Sequence, residues 1–355
     1  MSERAVAIIG YGLAGRFFHA PLIRATAGLR VAAIVTADPQ RSAQAAHEHP
    51  DAAVMASTDE LFGRAAEFDA VVIATANDSH VPLATRAVDH GLAVVVDKPL
   101  ALTAAEAEDL IARARAAGVL LTVFQNRRWD SDQLTLSRLM AQGALGQVLR
   151  YESRFERWRP ESRPEAWRER TPPAQGGGVL LDLGSHLVDQ ALVHFGAVTS
   201  VYAEVSSRRG APADDDVFIA LTHRCGTISH LRASAVTAAP GPRLRVLGSE
   251  AALIVRDLDS QEDRLRAGER PDTVSDWGVE PSHAHPRLIT GEQSVPLVPE
   301  RGAWQTFYAR LRDALVAGGS APPVPPVDAS DVVSVLCVLE AARASALSGE
   351  VAKLA

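Results

Sequence analysis

The stretch that most restricts what this chain can fold into is "AVAIIGYGLAG", Ala5 to Gly15. Five apolar residues in a row, with no polar alternation, predict a short buried strand. Glycines follow at once at positions 10, 12 and 15, the G-x-G-x-x-G spacing. Gly10 permits the tight turn, Gly12 lets the backbone approach a pyrophosphate, and Gly15 lets the next helix pack closely on the strand. That helix would aim its first N–H groups, past Leu13 and Ala14, at the phosphates. A glycine triplet alone is weak evidence, but here strands and helices keep alternating. "LRVAAIV" from Leu29, "FDAVVIAT" from Phe68, "GLAVVVDKP" from Gly91 and "GVLLTVFQ" from Gly118 read as four more buried strands, with alanine-rich helical segments between them. The best marked helix starts at Thr103, with Glu106 completing a capping box, and stops at Gly118. Apolar strands separated by helices imply a parallel sheet covered on both faces. Residues 1–123 are therefore expected to form an open, doubly wound α/β domain that binds a dinucleotide.

In such a sheet, ligands bind beyond the carboxyl ends of the strands. Thr36 and Arg41 follow the second strand, and no acid stands at its end. That pattern favours the 2′-phosphate of NADP, although Asp38 keeps NAD open if its loop bends back. Thr75, Asn77 and His80 follow the third strand, and Asp97, Lys98 and Pro99 follow the fourth. All fall on the cofactor side. Lys98, set abruptly after an apolar run, is expected to be a catalytic or substrate-binding group rather than a surface charge.

After Gln125 the pattern changes. "NRRWDSDQLTLSRLMAQGALG" reads as a helix and its exit, and "QVLRYESRFERW" alternates as a strand should. Residues 159–178, rich in Arg, Pro, Glu and Gly, read as an irregular surface or rim loop. Further strand segments predict a large, mainly antiparallel open sheet, with "CGT" from Cys225 as a hairpin turn. Residues 260–295 show no clear period, and two helices close the chain, the last capped by Asp328 or Ser330. The second domain is thus expected to be α+β over residues 124–355. Cys225 and Cys337 match no metal or disulfide spacing and are expected to be small buried hydrophobes.

Within this second part stands "GGGVLLDLGSHLVDQAL", Gly176 to Leu192, with ionisable groups inside a hydrophobic helix. Asp182 and His186 are four apart and share a face, with Asp189 near the same stripe. A metal site would need three or four ligands, and no second cluster is at hand, so no metal is expected. Proton transfer and ordinary helix decoration both remain open on spacing alone. The glycines 176–178 and 184 would let another body, such as a nicotinamide ring or a substrate, come close.

A formal charge of −7 argues against a nucleic-acid partner. No segment approaches the roughly 20 apolar residues of a membrane span, so no membrane partner and a cytoplasmic location are expected.

Taken together, "GYGLAG", "ATANDSH", "DKPL" and "GGGVLLDLGSHLVDQAL" make the chain resemble the Gfo/Idh/MocA oxidoreductases, the glucose-fructose oxidoreductase and inositol dehydrogenase family. "FHAP" from Phe18 and "FQNRRWDSD" from Phe124 look like the branch that includes NADP-dependent scyllo-inositol dehydrogenases. Two motifs depart from the family: Asp97 replaces its usual glutamate, and Ala76 its usual proline. The resemblance implies a Rossmann nicotinamide domain, then a domain whose large sheet often forms a dimer interface, hence a homodimer or homotetramer. It implies Lys98, Asp182 and His186 as the catalytic set, with Arg127, Arg128, Trp129, Trp167 and Arg168 as candidates for the substrate cleft. The implied reaction moves a hydride between a nicotinamide, NADP or NAD, and a polyol, inositol or sugar. Reduction of a non-sugar carbonyl or imine, and a non-catalytic regulatory role, are the alternatives.

Overall fold

A computed structural model describes residues 3–163, 166–317 and 324–354 of the chain. The chain divides into two compact units. The first comprises Met1–Asn126, Gln261–Trp277 and Ala303–Val333, and the second Arg127–Ser260, Gly278–Gly302 and Ser334–Ala355. The first boundary falls close to residue 123, but the expected continuous second domain of 124–355 is corrected: two later segments return to the first unit. Their apolar side chains complete its core. Trp304 packs edge-on against Phe18, Phe307 against Phe124, and the Tyr308 hydroxyl lies 2.6 Å from Nδ1 of buried His19.

The first unit holds a six-stranded parallel sheet: β1 (Arg4–Ile9), β2 (Leu29–Val35), β3 (Ala53–Met55), β4 (Ala70–Ile73), β5 (Ala93–Asp97) and β6 (Leu121–Phe124). Their order across the sheet is β3-β2-β1-β4-β5-β6. The order reverses at β1, so the turn after β1 lies at the crevice where such sheets bind ligands. Every residue of β4, β5 and β6 is buried, as continuous apolar runs demand. Five of the six strands were legible; β3, at three residues, is too short to show a period. Thr103 and Glu106 form the expected capping box on the helix Ala104–Ala116.

The second unit carries a nine-stranded sheet: β7 (Val148–Glu156), β8 (Val198–Ser206), β9 (Asp216–His223), β10 (Ile228–Ser234), β11 (Leu244–Gly248), β12 (Ala252–Val255), β13 (Arg287–Thr290), β14 (Gln293–Pro296) and β15 (Ala352–Lys353). The order is β14-β13-β12-β11-β7-β10-β9-β8-β15. Every pair is antiparallel except β7 with β10, which run parallel. Strands such as β9 alternate buried and half-buried residues, the mark of a sheet covered on one face. The helix Gly184–Phe195 lies on that face, where Phe195 meets Tyr151 of β7 at 5.3 Å between ring centroids.

Cys225 corrects its expectation of burial. It is exposed, because it sits in the turn between β9 and β10, where no core reaches it. Asp328, rather than Ser330, caps the last helix, accepting the Ser330 N–H at 2.9 Å. Among the described residues, no helix is long and apolar enough to cross a membrane.

Candidate active site

In the first unit the glycines behave differently from one another. A Cβ on Gly10 would lie 2.5 Å from the carbonyl oxygen of Ala74, and one on Gly15 would lie 1.9 Å from that of Gly10. These two glycines are fixed by the chain's own packing. At Gly12 the nearest atom to a built Cβ is Nη1 of Arg41, 3.8 Å away, so the missing side chain opens on space. A dinucleotide pyrophosphate fits such a cradle, with Leu13 exposed and Ala14 half-buried at its rim. The helix beyond opens with a π-type stretch, Gly15–His19.

Asp38 is committed elsewhere. Its carboxylate caps the helix Pro39–Glu48, accepting the N–H groups of Gln40 and Arg41 at 2.9 and 3.0 Å. Thr36 is buried at the end of β2. At the end of β4, the hydroxyls of Thr75 and Ser79 are 2.7 Å apart, and Asn77 is buried.

His80 does not present its ring to the crevice as expected. It is buried, Nδ1 donates to the Pro99 carbonyl at 2.7 Å, and Nε2 lies 3.3 Å from the Thr75 carbonyl. Burial lowers its pKa, so the ring is neutral and ties the segment after β5 to the end of β4. Lys98, half-buried, is thereby held at the carboxyl edge of the sheet, its N–H bonded to the Asp97 carboxylate at 2.9 Å.

In the second unit the helix read as one piece is broken at Leu183, giving Val179–Asp182 and Gly184–Phe195. The glycines before it are occupied by this chain's own atoms, not by a ligand. A Cβ on Gly177 would lie 1.7 Å from the Thr171 carbonyl oxygen, and one on Gly178 would lie 2.3 Å from Oδ1 of Asp214. Asp214 accepts the Leu180 N–H at 2.7 Å, and its backbone carbonyl accepts the Val179 N–H at 3.0 Å. It thus satisfies the first N–H groups of the helix that ends in Asp182. Gly178 has φ 95° and ψ 160°, a region that side chains other than hydrogen scarcely enter. Gly178→Ala is expected to cost about 1–3 kcal/mol from the backbone alone. A fall of several degrees in Tm should follow; an unchanged Tm would mean that Asp214 yields easily.

Asp182 lines a cavity of about 160 Å³, together with Trp167 and Arg168. Its side chain is 27% exposed and Oδ1 is 3.4 Å from Nε of Arg168, whose guanidinium stacks on Trp167 at 4.6 Å. His186, in the first turn of the next helix, is buried and does not line the cavity, with its ring 6.4 Å from Phe155. Phe155 in turn carries the guanidiniums of Arg127 and Arg243 over its ring, at 4.9 and 4.2 Å.

The five cleft candidates separate. Trp167 and Arg168 line the cavity, whereas Arg127, Arg128 and Trp129 do not. Arg127 and Trp129 are buried. Arg128 holds Asp189 through two bonds of 2.7 and 2.9 Å, which accounts for Asp189 as an ion-pair partner inside the fold. Sequence reasoning missed Arg157, Arg159, Arg163 and Arg209, which also line the cavity. The signal was present: an arginine-rich run just past a strand, with Arg157 and Arg159 two apart, points both to one side of an extended chain.

Comparison with known proteins bears on the family and the fold. Residues 4–125 match the model of an oxidoreductase family with an NAD-binding Rossmann fold, and residues 134–254 that of the GFO/IDH/MocA C-terminal domain. The chain is 38% identical over 337 residues to the uncharacterized oxidoreductase YdgJ of Escherichia coli K12, covering 94% of each chain. It is 33% identical over 345 residues to the scyllo-inositol 2-dehydrogenase (NADP(+)) IolW of Bacillus subtilis 168, covering 96% of this chain and 93% of IolW. The solved structure of yvaA from Bacillus subtilis superposes with a TM-score of 0.92 at 30% identity, covering 100% of this chain and 99% of yvaA.

Proposed function

The chain belongs to the Gfo/Idh/MocA family of NAD(P)-binding oxidoreductases, and from that premise we propose that it moves a hydride between a nicotinamide and a carbinol carbon of a polyol, inositol or sugar. The observation that carries this reading is part-exposed Asp182 on the wall of a polar cavity, with buried His186 in the first turn of the helix that follows. When bound, the nicotinamide supplies the hydride chemistry, and the protein supplies position and charge.

Removing a hydride from a carbinol carbon also requires removing the hydroxyl proton. His186 takes that proton on a ring nitrogen and returns it in the reverse direction. Asp182 accepts a hydrogen bond from a neighbouring substrate hydroxyl and so fixes which carbon is presented. Lys98 supplies positive charge to the oxygen as alkoxide character develops. A panel of inositols, aldoses and keto-sugars, followed by nicotinamide absorbance with each cofactor, tests the reaction. No absorbance change with any of them would sink it.

NADP is the proposed cofactor. Its support is that Asp38, at the end of β2, is occupied as a helix cap, while Arg41 beside it is half-exposed and paired with Asp38 only at 3.8 Å. Loss of one guanidinium–phosphate pair is worth roughly tenfold or more in affinity. Arg41→Ala should therefore raise KM for NADP by about that factor and leave KM for NAD nearly unchanged. Equal effects on both cofactors would refute the assignment.

A further inference from the structure

We propose that the cavity beside Asp182 receives the charged end of an anionic substrate, a sugar or polyol that carries a carboxylate or a phosphate. The inference rests on the reading of Asp182 and His186 as the reacting end of the site, and it adds the chemical class that end is offered.

Among the described residues, five arginines line the cavity, Arg157, Arg159, Arg163, Arg168 and Arg209, against three acids, Glu169, Asp182 and Asp214. Three of the five are committed. Arg209, its side chain 4% exposed, meets Asp215 at 2.9 Å and Glu169 at 3.1 Å. Arg163 meets the same Glu169 at 3.4 Å, and Arg168 meets Asp182 at 3.4 Å. The third lining acid, Asp214, is occupied by the Leu180 N–H and stands 3.8 Å from Arg343. Arg157 and Arg159 are left without a carboxylate among the described residues. Partial burial, followed by the neighbouring charges of Arg157 and Arg163, lowers the pKa of Arg159, with the Glu169 carboxylate opposing them only in part.

This surplus is local, since the chain as a whole carries −7. It is also held in position. Beyond β7 the backbone stays extended, with Arg157 N–H bonded to the Ser234 carbonyl at 2.8 Å and Arg159 N–H to that of Ala235 at 2.7 Å. Residues two apart on an extended chain share a side, so both guanidiniums turn to the cavity, while Trp158 between them is 58% exposed and absent from its lining. Neutral hydroxyls need donors and acceptors but no net charge. A guanidinium fork matches the paired oxygens of a carboxylate or phosphate, and a cleft of one sign concentrates the opposite ion.

The test is calorimetric titration of the full chain, loaded with NADPH, with glucose, glucuronate, galactose, galacturonate and glucose 6-phosphate. The anions should bind about 10–100-fold more tightly than the matched neutral sugars. That margin should collapse in Arg157→Ala/Arg159→Ala and shrink in Arg159→Gln alone, a change at an exposed position that leaves the fold intact. Uronates against the sugar phosphate tell which anion is preferred. Equal isotherms for neutral and anionic ligands, or a margin that survives both variants, overturn the proposal. Turnover with NADP, measured in parallel, separates the two readings. Arginine-dependent binding with no absorbance change keeps the anion site and sinks hydride transfer; oxidation of neutral sugars without an anionic preference does the reverse.

Discussion

His186→Ala is expected to lower kcat by about 10²–10⁴-fold, the usual contribution of a positioned general acid or base. The expectation stands on where the residue is. His186 lies in the first turn of the helix Gly184–Phe195, buried, with its ring set by Phe155. Alanine keeps the helix and removes only the group proposed to handle the proton. The glycine loop, Thr36 and Arg41 belong to the first unit, so the dissociation constant for NADPH should be unchanged by fluorescence titration. The decisive pattern is a collapse of kcat with intact cofactor binding and intact Tm. A kcat within about threefold of the parent would remove His186 from the chemistry, because even the weak end of general acid–base catalysis exceeds that.

Lys98→Ala carries the second large expectation, a loss of about 10²–10³-fold in kcat/KM. Its backbone is anchored independently of its side chain: the N–H goes to Asp97, and His80 holds the next carbonyl. The substitution therefore subtracts a charge and leaves the turn. If the role is electrostatic, Lys98→Arg should recover part of the rate, since charge survives but its position and compactness change. A drop in Tm with no selective loss of rate would instead assign Lys98 to packing. Lost activity that arginine does not recover at all would point to a demand for an ammonium of fixed geometry.

The elements that the sequence disclosed are those whose signal is local. The apolar runs of β1, β2 and β4–β6, the capping box at Thr103 and the turn at Gly10 each depend on residues a few positions apart. Lys98, Asp182 and His186 were singled out because ionisable groups in apolar surroundings are conspicuous. What escaped depends on distant partners. The glycines at 177 and 178 answer to Thr171 and Asp214, not to an incoming ligand. Arg128 has the character of a cleft residue, yet Asp189 holds it inside the fold. His80 stands where a cofactor contact is expected, yet both its ring nitrogens lie beside backbone carbonyls. The cavity arginines were hidden in a segment whose composition resembles an ordinary solvated loop.

The return of Gln261–Trp277 and Ala303–Val333 to the first unit governs how this protein can be made. The chain emerges from the ribosome N-terminus first, at about 5–20 residues per second. When residue 126 appears, the aromatic face formed by Phe18, His19 and Phe124 still lacks Trp304, Phe307 and Tyr308. The nucleotide-binding unit must wait until Ala303–Val333 has been translated before its apolar surface is sealed. The second unit has six of its nine strands in one continuous stretch, Arg127–Ser260, but it too takes in later segments, Gly278–Gly302 and Ser334–Ala355. Neither unit can therefore close from its own leading stretch, and a half-covered aromatic surface persists on the nascent chain until those later segments arrive.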